Sequence, residues 1–290
     1  MARIAIIGGG SIGEALLSGL LRAGRQAKDL VVAEKDPARG KYLSETYSVL
    51  ITSVADAAES ATYVIVSVKP SDVESALSDI TAAVAHAENN GEEQVFVSVA
   101  AGVSTAYYES KLPAGAPVIR VMPNAPVVVG GGVSALARGR FATDEQLKQV
   151  SAIFDAVGGV LTVPESQIDA VTAVSGSGPA YFFLMVEALI DAGVAEGLPR
   201  QVATELVVQT MAGSAAMMLE RLDQSVPRGE VSLGATMDTS AAQLRATVTS
   251  PAGTTAAGLR ELERGGFRAA VANAVAAAKT RSEQLGITSE

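Results

Sequence analysis

A glycine cluster at a strand–helix junction near the N-terminus narrows the folds open to this chain. Ile4-Ala5-Ile6-Ile7 runs into Gly8-Gly9-Gly10-Ser11-Ile12-Gly13, and a helical pattern over Ser11–Ala23 carries Leu16, Leu17, Leu20 and Leu21 on one stripe. G-x-G-x-x-G in that setting is a dinucleotide fingerprint. Gly8 permits the tight turn, Gly10 lets the backbone approach a pyrophosphate, and Gly13 lets helix pack on strand. The first helical N–H groups, from Ser11 and Ile12 on, face the anion.

The segments that follow extend the same architecture. Leu30–Ala33, Tyr63–Val68, Val95–Val99 and Val118–Met122 are rich in Val and Ile and mostly lack polar alternation. That is the pattern of strands covered on both faces in a parallel sheet. With helical stretches between them, they predict an α/β, doubly wound Rossmann domain. Thr143-Asp144-Glu145-Gln146 reads as a capping box opening a helix with Leu147, Val150, Ile153, Phe154 and Val157 at helical spacing. Gly158-Gly159 stops it, a short strand Val160–Val163 follows, and Pro164 closes a first domain of residues 1–164.

Ligands of such sheets lie beyond the carboxyl ends of the strands. Glu34, at the end of the second strand, stands where an acidic side chain receives a ribose 2′-hydroxyl, which favours NAD(H). Lys35 and Arg39 are close enough in sequence to meet a 2′-phosphate, so NADP(H) stays open. Val68-Lys69-Pro70 and Ala100-Ala101-Gly102 end the next strands, and the small residues of the second would admit a flat nicotinamide ring. Lys69 reads as a phosphate or carboxylate contact or as an ordinary surface lysine.

Beyond residue 165 the strand-like runs give way to alanine-rich helical pattern. Helices are predicted near Ile168–Val174, Pro179–Ala195, Pro199–Leu222, Ser240–Thr247, Thr254–Glu263 and Phe267 to about Leu285, an all-α second domain of residues 165–290. Leu206–Leu219 carries no charge, so that helix is buried on every side, in a helical dimer interface or inside a bundle. Thr249-Ser250-Pro251-Ala252-Gly253-Thr254-Thr255 leads into a helix. Hydroxyls and free N–H groups meet there, which suits a carboxylate or plain helix capping. Ser175-Gly176-Ser177-Gly178-Pro179-Ala180-Tyr181 reads as a second tight turn.

Composition removes other chemistries. The chain has no cysteine and one histidine, His86, which sits in a polar stretch and reads as solvated. Disulfides, thiol catalysis and iron–sulfur clusters are excluded, and a Ser-His-Asp triad or a multi-His metal site nearly so. No metal is expected. A net charge of −9 argues against nucleic acid and against an anionic membrane surface. The longest charge-free stretches are interrupted by glycine and proline, so no membrane span or leader is expected and a cytoplasmic location is.

On these residues the chain resembles the pyrroline-5-carboxylate reductase family. The matching pieces run in order: Ile7–Gly13, Val68-Lys69-Pro70, Met122-Pro123-Asn124, Ser175–Tyr181 and Val248–Leu259. The resemblance implies reduction of the cyclic imine 1-pyrroline-5-carboxylate to L-proline by NADPH or NADH, the last step of proline biosynthesis. It implies a helical domain interleaved with a partner subunit, in a homodimer that assembles further into a decamer. By motif, Thr255 would hydrogen-bond the ring nitrogen and assist its protonation. Ser250, Gly253 and Thr254 would hold the substrate carboxylate, Glu165 and Asp238 would lie near the substrate, and Asn124 would lie near the cofactor. Two departures stand out. The family's common Ser-Pro-Gly-Gly reads Ser250-Pro251-Ala252-Gly253, and Glu34 replaces the Ser, Asn or Arg of many NADPH-preferring members.

Overall fold

A computed structural model of the protein describes residues 2–59, 61–86, 94–225 and 240–286. Asp238 and the surroundings of the His86 side chain lie outside the described residues. The first part alternates strand and helix: β1 (Ile4–Ile7), α1 (Ser11–Arg22), β2 (Leu30–Ala33), α2 (Pro37–Tyr47), β3 (Leu50–Thr52), α3 (Val54–Glu59), β4 (Tyr63–Val66), α4 (Val73–His86), β5 (Val95–Ser98), α5 (Thr105–Lys111) and β6 (Val118–Met122). It continues with β7 (Gly132–Arg138), α6 (Asp144–Phe154) and β8 (Gly158–Thr162). Among the described residues only helices follow: α7 (Ile168–Val171), α8 (Gly178–Ala195), α9 (Arg200–Ser225), α10 (Ser240–Thr247), α11 (Thr254–Arg264) and α12 (Phe267–Leu285).

The strands form one sheet in the order β3-β2-β1-β4-β5-β6-β7-β8. All neighbours run parallel except β6 and β7, which pair antiparallel with Val121 opposite Leu136. The doubly wound core is therefore the predicted one, and its order reverses direction between β1 and β4. β3 and β7 escape the sequence reading. β3 is a three-residue edge with partly exposed side chains, and β7 begins inside a glycine run.

Strand alternation sorts the core into two layers. Ile4 and Ile6 pack with Leu16, Leu17 and Leu20 of α1 and with Val150, Ile153 and Phe154 of α6. Ala5 and Ile7 face the other way, onto Leu77 and Ile80 of α4 and Tyr108 of α5. Each fully buried Leu or Ile contributes about 1.5–3 kcal/mol to folding. The predicted capping box on α6 forms in full: Gln146 N–H donates to Thr143 Oγ1, and the Gln146 side chain accepts from Thr143 N–H.

The chain divides into two compact units, one running up to Ser177 and resuming at Ala278, the other spanning Gly178–Ala277. This break lies past the expected 164/165 boundary because the segment after Pro164 stays on the sheet. Ile168 is fully buried against Ala135 and Ala137 of β7. The Ser175–Tyr181 stretch is not a turn, as the sequence reading had it. A π-helical segment, Thr172–Gly176, joins α7 to α8, and Ser177 N–H donates to Thr172 O at 2.8 Å. Gly176 is needed there: a Cβ would come within 2.8 Å of the Met122 side chain.

In the second unit α8 and α9 form a helical hairpin. Gly197 at φ +98° caps α8, with N–H groups of Gly197 and Leu198 on the carbonyls of Val194 and Gly193. The expectation that Leu206–Leu219 is buried does not hold within one chain. Leu206 is 54% and Leu219 61% exposed, alongside Phe182, Phe183 and Leu184 on α8. Among the described residues nothing covers this face, which favours the interface reading over the bundle. Glu165–Ala195, 31 residues, and Arg200–Leu222, 23 residues, are long and apolar enough to cross a membrane by length and composition. The sequence reading found no such stretch because it broke the first helix at Ser175–Pro179.

Candidate active site

The fingerprint folds as its glycines require. Gly8 sits at φ +102° and donates its N–H to Ala33 O at 2.8 Å. A Cβ on Gly13 would lie 2.1 Å from Gly8 O, so only glycine lets α1 start this close to β1. At Gly10 a Cβ would meet nothing within 4 Å, and no side chain caps the first N–H groups of α1. Open space over an uncapped helix start is the cradle a pyrophosphate fits.

Side chains hold this loop from both sides. Gly9 N–H donates to Glu34 Oε2 at 2.8 Å, and Asp36 N–H donates to Glu34 Oε1 at 2.9 Å. Arg39 Nε donates to Gly9 O at 2.8 Å, and its other arm pairs with Glu14. Burial pushes the Glu14 carboxyl up, but hydrogen bonds from Arg39 and Tyr47 outweigh it and hold the group below the usual range. Ser67 Oγ donates to Gly8 O at 2.6 Å, tying β4 to the loop. The sequence reading missed Ser67, Glu14 and Tyr47. Only Ser67, one residue before Val68-Lys69-Pro70, carried a positional signal.

The other expected cofactor residues lie at the same edge of the sheet. Lys35 follows β2 and pairs with Asp72 after β4, Nζ to Oδ2 at 2.8 Å. That contact raises the lysine's pKa and lowers the aspartate's. Val68 is half-buried, and Lys69 and Pro70 are exposed in the same turn. Ala100 is buried, Ala101 is exposed, and Gly102 turns at φ +75°. Asn124 Oδ1 accepts from Val133 N–H at 2.9 Å, fixing the entry into β7.

Glu165 belongs to the sheet unit. Its carboxylate accepts from Thr105 N–H at 2.7 Å and from Thr105 Oγ1 at 2.5 Å, and pairs with Arg120 at 3.3 Å. It thereby anchors α5 and balances a cation whose side chain is only 8% exposed.

In the second unit Ser250 to Thr255 forms a tight loop into α11. Gly253 N–H donates to Ser250 O at 3.0 Å, and Ala257 N–H donates to Gly253 O at 3.1 Å. Gly253 is the N-cap of α11 and no side chain caps it, so the N–H groups of Thr254 and Thr255 face outward. Ser250, Thr254 and Thr255 are exposed. Position 252 does take a positive φ, +59°, with alanine in it. The family's glycine answers to that conformation.

A Rossmann crevice with an open pyrophosphate cradle, followed by a separate helical unit with an uncapped anion-facing helix start, defines a nicotinamide-nucleotide oxidoreductase. Two family models match: "Pyrroline-5-carboxylate reductase dimerisation" over residues 165–285 and "NADP oxidoreductase coenzyme F420-dependent" over residues 3–102. Pyrroline-5-carboxylate reductases of Mycobacterium tuberculosis and Mycobacterium leprae are 70% and 71% identical to it, each alignment covering 100% of this chain and 99% of the relative. The solved reductase of Coxiella burnetii superposes at TM-score 0.86 with 31% identity, covering 99% of each chain. That of Plasmodium falciparum with NADP bound superposes at 0.79 with 28% identity, covering 99% and 98%. The chain belongs to the pyrroline-5-carboxylate reductase family.

Proposed function

We propose that the protein reduces 1-pyrroline-5-carboxylate to L-proline, taking NADPH and also accepting NADH. The observation that carries this reading is the full-length 70% identity to a reductase of that name, with the Ser250–Thr255 loop present and its helix start uncapped. Gly8, Gly10 and the first N–H groups of α1 would hold the pyrophosphate, with Val68, Lys69, Pro70 and Ala100–Gly102 along the rest of the dinucleotide. When bound, the reduced nicotinamide supplies a hydride.

The substrate's imine carbon is already electrophilic, so the chain's task is to position and protonate. The N–H group of Thr254 with Ser250 Oγ receives the ring carboxylate, in a turn closed by Gly253 N–H on Ser250 O, aided by the dipole of α11. Thr255 Oγ1 donates to the ring nitrogen. As a C–H bond forms at the imine carbon, the C=N π pair passes to nitrogen, which takes a proton and leaves a secondary amine. Domain roles follow the chain: nucleotide work in 1–164, substrate and dimer work in 165–290, with Glu165 holding α5 and Asp238 near the substrate. A β-hydroxyacid dehydrogenase is disfavoured, since its catalytic helix carries a lysine and 179–222 has none.

NADPH is favoured because Glu34 has both oxygens on backbone N–H groups, leaving Lys35 to address a 2′-phosphate. The apolar faces of α8 and α9 are read as subunit interface rather than membrane span, in a cytoplasmic homodimer that builds a decamer. The dimerisation match over 165–285 supports the subunit interface. The test is purified protein with 1-pyrroline-5-carboxylate, following NADPH and NADH separately and identifying L-proline. Turnover is expected with both, faster with NADPH. Thr255→Val should lower kcat at least 100-fold while moving dinucleotide Kd less than twofold, on the scale of a lost proton donor. A folded, nucleotide-binding protein without turnover would overturn the assignment.

A further inference from the structure

The strand order β2-β1-β4 places the crevice mouth between the loops that follow β2 and β4. The Lys35–Asp72 ion pair bridges those two loops at 2.8 Å. On the β2 side of the crevice the charged neighbours of Lys35 have fixed work. Glu34 holds Gly9 and Asp36 N–H groups, and Asp36 Oδ1 caps α2 through Ala38 N–H at 2.9 Å. Arg39 is clamped by Gly9 O and Glu14 and lies 5.1 Å over the Tyr42 ring. Lys35 is 80% exposed on a flexible stem, so it can exchange partners.

We propose that Asp72 sets the choice between the two nicotinamide nucleotides by acting as a built-in rival anion for Lys35. A ribose 2′-phosphate must take Lys35 from Asp72. The freed carboxylate then faces the phosphate, with Lys69 the remaining cation of that turn. A ribose with a free 2′-hydroxyl needs no such exchange. Asp72 therefore weakens the phosphorylated nucleotide selectively, and it explains how a basic loop can still serve NADH. The inference rests on the proposed use of this crevice for NADPH and NADH, and deepens it by naming the residue that tunes the ratio.

Binding measurements separate the two. Calorimetric Kd values for NADPH, NADH, 2′,5′-ADP and 5′-AMP are determined on the full chain, without substrate. Asp72→Asn should raise the NADPH-to-NADH affinity ratio about 1.5-fold to fivefold, the range of an exposed ion pair. Lys35→Met should lower the ratio by at least as much, Lys35→Arg should retain it, and the Asp72→Asn gain should vanish in the double variant. The 2′,5′-ADP to 5′-AMP ratio should move in parallel and shrink at high salt. An Asp72→Asn ratio that is unchanged or lower overturns the proposal, as does a gain that survives without Lys35. The expected shifts in a protein that fails to reduce the imine would sustain this inference while removing the substrate reading.

Discussion

Ala252 stands at φ +59° in the loop that leads to Thr255. For an L-residue the left-handed region costs about 1–2 kcal/mol. Glycine there would lose about 0.4–1 kcal/mol through greater unfolded-chain freedom. The balance favours glycine, so Ala252→Gly should stabilise the protein by about 0.5–1 kcal/mol in urea unfolding. A destabilised variant would show that alanine's side chain has contacts that outweigh the strain. Glu34 shows the limit of reading single residues. Its position at the end of β2 was legible from its distance beyond Gly13. Its partners, Gly9 N–H and Asp36 N–H, depend on how closely the glycine loop folds back over β2.

Among the elements, the join between α5 and the chain after β8 depends on Glu165. Removing its carboxylate leaves the Arg120 guanidinium almost buried and without its counter-charge, and takes two hydrogen bonds from Thr105. Losing one partner of a buried pair costs about 3–5 kcal/mol. Because Glu165 is 28% exposed, water can partly replace it, and Glu165→Ala should cost about 2 kcal/mol. Glu165→Gln should recover part of the loss, read in the same unfolding curves. An Ala variant as stable as the parent would mean that Arg120 finds another partner. The strands of the doubly wound core were legible because burial on both faces writes unbroken Val and Ile runs. β7 was not, since Gly132-Val133-Ser134-Ala135 has no such run and is held by pairing with β6.

For the whole molecule, the exposed apolar residues of α8 and α9 should make the protein larger than its 29.5 kDa chain in analytical ultracentrifugation. Leu206→Lys with Leu219→Lys should shift it toward monomer, lower Tm and weaken the parent's dependence of Tm on protein concentration. A monomeric parent would remove the dimer reading of that face. Stability should also vary with pH at both ends. Burial pushes the Tyr108 phenol up, well above its usual value. The unfolded chain ionises first, so the stabilisation is complete below about pH 10 and falls as pH rises beyond it. Glu14 is held low in the fold, so its contribution is present above the ordinary carboxylate range and is lost as pH falls through its lowered value. Urea midpoints across pH should decline at both ends. Tyr108→Phe should flatten the alkaline limb, and a limb that stays as steep would assign it elsewhere.

The doubly wound core, the phosphate loop at Gly8–Gly13, the change to helices after Pro164 and the family are all legible in the linear chain. Each rests on local spacing or short-range sterics, which survive in a linear string. Tertiary structure decided which partners the charged groups take, that Ser175–Tyr181 continues as helix, and that position 252 requires a positive φ. It also decided that Leu206 and Leu219 of α9 stay exposed among the described residues. These outcomes depend on distances between segments far apart in sequence, such as Glu165 to Thr105 and Lys35 to Asp72. No local pattern encodes them, because hydrogen bonds and burial are settled only when the segments meet.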